Sequence, residues 1–158
     1  MSVVLFRVDE RLIHGQVVVG WARQLRPRRI IVVDDALAED ELEQSIYRTG
    51  IPEGIDADFW SEREAVRALP GVLKSSERVF VLTADLATMA QLTLEVEGIR
   101  EVNVGCLHHG DGRRVLPYVR LDEGDERLID EMSDRGVRVV ARDVPSSAPT
   151  QLGAQARG

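Results

Sequence analysis

Apolar positions in this chain come in two rhythms. Short runs rich in β-branched residues, "VVLFRV" (3–8), "RIIVVD" (29–34), "IDADFW" (55–60), "RVFVLT" (78–83) and "EVNVG" (101–105), read as strands. Between them lie helix-like stretches. The first covers 16–25, and the second is acidic, rich in Ala, Leu and Glu, and runs through about Arg48 to stop at Gly50 and Pro52. A third starts at Ser61, with Glu64 at capping-box spacing, and ends before Pro70; a fourth is capped by Asp85 and reaches Val96. Beyond the loop "CLHHGDGRR" a sixth strand is expected near 115–121, then a helix capped by Asp122 and ending at Gly136, then "VRVVAR" as a last strand. Such alternation predicts an α/β protein of three layers, α/β/α. Its sheet should be mostly parallel, with about six to seven strands, right-handed crossovers and room for an antiparallel edge. From Pro145 the composition turns to Ser, Pro, Ala, Gln and Gly, so one domain is expected over 1–145 and a flexible tail over 146–158.

A length of 158 residues suits one domain with a real core, and a hydrophobic content of 44% with only 4% aromatics makes that core aliphatic. Trp21 and Trp60 read as core or subunit-contact residues. The net charge of −7 argues against a nucleic-acid or anionic-membrane partner. The one basic cluster, "RPRR" at 26–29, has no interleaved aromatics and reads as a solvated turn. Cys106 is the single cysteine, which excludes an internal disulfide and fits a reducing compartment. The apolar run before Arg7 is too short for a signal peptide and no run approaches membrane-spanning length, so a cytoplasmic protein is expected.

The candidate chemistry begins at His14, on the loop between the first strand and first helix. Loops at the carboxyl ends of parallel strands form the binding crevice, and a helix N-terminus there favours an anion. Rival chemistries lack their parts. Asp34 and Asp35 after "IIVV" resemble the acidic pocket of a receiver domain, but the one lysine, Lys74, lies in the loop-like "PGVLKSSE"; capping of the second helix, or lining the same rim as His14, is the better reading. There is no G-x-S-x-G elbow, and Ser61 is explained as a cap. A dinucleotide fold would place glycines where His14 and Gly15 stand. His108 and His109, with Cys106 and Asp111 nearby, lack a metal-ligand spacing, so no metal is expected.

The stretch "RVDERLIHGQVVVGWA" (7–22) resembles the signature of the IIB subunits of the mannose/fructose/sorbose class of the bacterial phosphoenolpyruvate-dependent phosphotransferase system. The likeness continues through "RIIVVDD", "VFVLTADLATM", "VNVGCLHH" and "VPSS", covering residue 1 to about 150. It implies a phosphotransferase component whose His14 takes a phosphoryl group from a phosphohistidine of a IIA domain and passes it to sugar at membrane IIC/IID subunits, with no cofactor. By the same likeness Arg11 partners the phosphoryl group, with Gly15 and Gln16 supplying backbone N–H groups and close approach. Asp9 or Glu10, or a backbone carbonyl, would fix the imidazole tautomer. Thr83, Asp85, His108 and His109 should share the rim and line the phosphate site or docking face. Where family members often carry Gly-Gly after the fifth strand, this chain has Gly105-Cys106. Two roles fit these residues: a carrier in sugar uptake, or a regulatory carrier whose phosphorylation state a partner reads. Contacts with partners should be transient, and a homodimer through another face is compatible with either.

Overall fold

A computed structural model describes residues 3–108 and 110–153. Its seven-stranded sheet comprises β1 (Val3–Val8), β2 (Arg29–Val33), β3 (Asp56–Trp60), β4 (Val79–Thr83), β5 (Glu101–Val104), β8 (Arg138–Ala141) and β9 (Thr150–Gln151), in the order β3-β2-β4-β1-β5-β8-β9. Neighbours pair in parallel except β8 with β9, which is antiparallel. Helices α4 (Glu62–Lys74), α5 (Leu86–Glu95) and α6 (Glu123–Asp134) cover one face, packing Leu69, Met89 and Ile129 against Val8, Val81 and Val104. On the other face, a π-helix over Gln16–Ala22 continues into α1 (Arg23–Leu25), and α2 (Asp35–Ala38) and α3 (Glu41–Thr49) follow β2. Here Val17, Trp21 and Leu37 pack on Leu5, Val32 and Leu82. These are the three layers the alternation predicts. The aliphatic strands are buried on both sides because helices cover both.

The sheet's connectivity sets the site. From β1 the chain crosses towards β2, whereas from β5 it crosses the opposite way towards β8, and β1 and β5 are neighbours. Strand order therefore reverses between them, and loops leaving their carboxyl ends open a crevice there.

Several elements differ from the sequence expectations. The run near 115–121 is a hairpin, β6 (Arg113–Leu116) and β7 (Val119–Leu121), in its own two-stranded sheet, because Pro117 cannot donate to a continuous ladder. The acidic helix is two helices: Asp34 accepts from the Leu37 N–H and caps α2, and Asp40 accepts from the Glu43 N–H and restarts the chain as α3. Helix α4 runs through Pro70 to Lys74; Pro70 is exposed, and Leu69 and Val72 on either side are buried, which carries the helix across the missing N–H. Within the stretch read as a tail, Thr150–Gln151 pairs with Val140 and Ala141, and Leu152 is buried. Residues 154–158 lie outside the described ones.

Candidate functional site

The first loop is fastened to its neighbours before it reaches His14. Asp9 N–H donates to the Thr83 carbonyl (2.9 Å) and Glu10 N–H to the Cys106 carbonyl (3.0 Å), extending the pairing of β1 with β4 and β5. A turn follows, closed by Leu12 N–H to the Asp9 carbonyl at 2.9 Å. Leu12 adopts φ 56°, unusual for a bulky residue, and it and Ile13 are buried against the helix-covered face. Those two apolar anchors leave His14 on the outer side, where the π-helix begins and Val18 N–H donates to the His14 carbonyl.

Asp9 is the centre of the arrangement. Fully buried, it accepts from five N–H groups. Oδ1 takes the Arg11 backbone N–H (3.0 Å) and Nε (3.1 Å); Oδ2 takes Arg11 Nη2 (3.1 Å), Arg7 Nη2 (3.2 Å) and His14 Nε2 (3.1 Å). Burial alone would raise the Asp9 carboxyl, but hydrogen bonds from His14 and Arg11 and the Arg7 charge outweigh it and hold it well below the usual carboxylate range. Asp9 is thus an anion that only accepts, so His14 Nε2 must carry the ring proton. Consistent with that, Gln16 N–H points at His14 Nδ1 from 3.3 Å. Nδ1 therefore holds the lone pair. Arg11 Nη2 also donates to Gln16 Oε1 at 2.8 Å, placing a half-exposed guanidinium beside the ring. Gly15 has an ordinary helical conformation and a Cβ there would meet nothing within 4 Å, so the space in front of it is open.

Of the residues singled out in the sequence, Asp9, Arg11, His14, Gly15 and Gln16 come together. Thr83 and Asp85 lie on the same rim but are occupied: Thr83 Oγ1 donates to the Asp85 carbonyl (2.9 Å), and the Asp85 side chain caps α5 through Thr88 N–H. The His108 backbone N–H donates to Glu10 Oε1 at 3.0 Å and its side chain is exposed; His109 lies outside the described residues. Glu10 binds the opposite loop, also accepting from Cys106 Sγ at 3.4 Å. Burial and that contact push the Cys106 thiol up to about 11. Among the described residues no group of three or more His, Cys, Asp or Glu is arranged to hold a metal, and no helix is long and apolar enough to cross a membrane.

Sequence reading alone does not single out Arg7 and Asn103 as participants, nor show that Trp21, buried as the sequence leads one to expect, and Gly105 stand against the same ion pair. Arg7 is fully buried on β1 and reaches Asp9, while Gly105 fills the tightest spot beside both. A legible signal did exist for Arg7, since a charge inside a β-branched run must find a buried partner, and Asp9 at i+2 shares its face.

Comparison with known proteins matches the sequence and the fold of this chain to a family. The chain is 29% identical over 154 residues to the N-acetylgalactosamine-specific phosphotransferase enzyme IIB component 2 of Escherichia coli (strain K12), covering 96% of each. It is 30% identical over 153 residues to the mannose-specific EIIAB component of the same organism, spanning 96% of this chain but 47% of that longer protein. The crystal structure of the IIBSor domain of the sorbose permease from Klebsiella pneumoniae superposes with a TM-score of 0.84 at 28% identity, covering 94% of this chain and 92% of that one. The sequence model of the PTS system sorbose subfamily IIB component matches residues 3–155, and the chain belongs to that family.

Proposed function

We propose that this chain is a cytoplasmic phosphocarrier that takes a phosphoryl group onto Nδ1 of His14 from a phosphohistidine IIA domain and hands it to a sugar entering through membrane IIC/IID subunits. Family membership supplies the coarser part, a phosphotransferase component in sugar uptake. Relatives named for particular sugars lend nothing to a purely regulatory role. The observation that carries the finer reading is the orientation of one imidazole: Nε2 is held by a buried carboxylate and Nδ1 keeps its lone pair beside a guanidinium.

In the first transfer the Nδ1 pair attacks the phosphorus, the donor's N–P bond breaks, and the donor nitrogen recovers that pair. The His14 ring retains its Nε2 proton and becomes positive as Nδ1 gives up its pair. Asp9 faces that proton and stabilises the charge, as the aspartate of a Ser-His-Asp triad stabilises its imidazolium. Arg11, half-exposed, is free to turn its fork onto the phosphoryl oxygens, and the Gln16 N–H now aimed at Nδ1 would meet them too. In the second transfer a sugar hydroxyl oxygen attacks, the N–P bond breaks with its pair returning to Nδ1, and the hydroxyl proton leaves to solvent or a partner base. The positive ring makes nitrogen a better leaving group.

The test is labelling by phosphoenolpyruvate, the general phosphotransferase proteins and a IIA domain. Acid-labile, base-stable label is expected on the wild type and none on His14→Ala or His14→Gln. Nitrogen-15 NMR of the phosphorylated protein should show phosphorus on Nδ1. Label retained in His14→Ala, or acid-stable label in the wild type, would overturn the assignment.

A further inference from the structure

Two arginines meet Asp9, and they are built differently. The Arg11 side chain is 38% exposed, and its further side-chain partner is the Gln16 amide. Arg7 is 0% exposed and tied to several elements at once. Its Nη1 donates to Asn103 Oδ1 on β5 and to the Arg142 carbonyl (2.8 Å), and its Nη2 to the Asp143 carbonyl (3.1 Å) as well as to Asp9. Its guanidinium carbon lies 5.2 Å from the centre of the Trp21 ring, on the helix that follows His14, and Trp21 Nε1 donates to the same Asp143 carbonyl at 3.0 Å. A Cβ on Gly105 would stand 2.1 Å from Arg7 Nη2 and 2.7 Å from Asp9 Oδ2. The chain leaves that spot to the ion pair. Arg7 cannot leave Asp9 without dismantling the rim, whereas Arg11 can.

Resting on the phosphocarrier reading, we propose that Arg7 is a positioning residue for phosphoryl transfer: it holds Asp9 as a carboxylate behind His14 while Arg11 moves onto the phosphoryl group. The logic is charge conservation at a buried site. When Arg11 swings out, Asp9 loses the Nε and Nη2 contacts and keeps only the Arg11 backbone N–H, His14 Nε2 and Arg7. While the imidazole is still neutral, a buried carboxylate deprived of its last cation takes up a proton, and a protonated Asp9 could not stabilise the ring as it becomes positive. Arg7 supplies the cation that stays. Its burial lowers the guanidinium's own affinity for protons, with Asp9 opposing that, so the pair is mutually dependent.

The experiment compares Arg7→Gln, Arg7→Lys and Gly105→Ala with wild type, each checked for folding by circular dichroism and melting. Readouts are the transfer rate from a phosphorylated IIA domain across pH, and the His14 tautomer by nitrogen-15 NMR. Arg7→Gln is expected to keep label on His14 but to slow transfer by on the order of a hundredfold. The acid limb of its pH profile should move to higher pH, because removing a cation makes Asp9 easier to protonate, and its Nε2–H tautomer should lose dominance. Arg7→Lys should restore the acid limb and only part of the rate, since an ammonium cannot hold the same fork. Gly105→Ala, which pushes Arg7 off Asp9 with both charges present, should move the acid limb the same way as Arg7→Gln. A folded Arg7→Gln with a wild-type rate, acid limb and tautomer would overturn the proposal. If that variant does not fold, an unmoved acid limb in Gly105→Ala would overturn it instead. Failure of the phosphocarrier reading shows separately, as absence of label on wild-type His14.

Discussion

Asp9→Asn is the sharpest single perturbation of the site, because it removes one charge and almost no volume. Both Asp9 oxygens accept only from N–H groups, two at Oδ1 and three at Oδ2. Whichever way the new amide turns, its NH2 faces donors, and the fully buried Arg7 loses its counter-ion. Breaking one side of a buried pair costs about 3–5 kcal/mol, against about 5–15 kcal/mol for a typical domain. The variant should therefore fold, with its urea midpoint lowered by roughly 1–5 M for a urea slope of about 1–3 kcal/mol/M. Transfer should suffer more, by on the order of a thousandfold or greater, because Nε2–H is no longer fixed and the positive ring no longer faces an anion. The pH dependence carries its own sign. Asp9 is depressed in the folded state, so its contribution is fully present above the unfolded value of about 3.9 and is lost as pH falls through the lower folded value. Wild type should accordingly lose stability below about pH 4 more steeply than Asp9→Asn. Stopped-flow transfer from a phosphorylated IIA domain and urea melts at pH 7 and pH 3.5 measure all three. A variant within tenfold of wild-type rate, or with an unchanged midpoint at pH 7, would refute the role assigned to the carboxylate.

Arg11→Ala should leave the fold intact and label on His14, but slow transfer by on the order of a hundredfold in rapid-quench assays, with Arg11→Lys recovering part of it. Cys106, with its thiol pushed up to about 11, should react with Ellman's reagent at pH 8 roughly two hundredfold more slowly than an unperturbed cysteine on thiolate fraction alone, before shielding by burial adds to it. Pro70→Ala restores an N–H within α4 at an exposed position, and should raise stability by about 1–3 kcal/mol in a denaturant melt.

What the sequence made legible was local. Capping residues Asp34, Ser61, Asp85 and Asp122 stand where the chain starts a helix, and strand-to-helix alternation places His14 at the carboxyl end of β1. Misreadings arose where a short-range rule met a longer-range one. Pro70 looks like a terminus until Leu69 and Val72 are seen to be buried, and a β-rich run around Pro117 is a strand only if nothing must turn there. Thr150 and Gln151 join the sheet because Val140 and Ala141 offer an edge, which composition does not reveal.

The polar core beneath His14 was hidden for a different reason. Its bonds join Arg7 to residues 96 to 136 positions away, and two of the acceptors are backbone carbonyls, which no residue type announces. Yet physics narrows the choices once the topology is known. A charge on a central strand is buried on both faces and is costly unless paired, and its acidic partner at i+2 satisfies only one edge of the guanidinium. The other Nη donors need acceptors from whatever leaves the neighbouring strands at the same height, here Asn103 on β5 and the chain following β8, while the buried Nε has no hydrogen-bond partner among the described residues. An Arg-x-Asp pair at the carboxyl end of a central parallel strand therefore implies a small residue on the adjacent strand end to make room for it. Gly105 is that residue, and its neighbour Cys106 occupies the side of the loop that faces Glu10 instead. The position following it can hold a larger side chain than glycine for this reason: the close approach to Arg7 and Asp9 is made by Gly105, while Cys106 Sγ donates to Glu10.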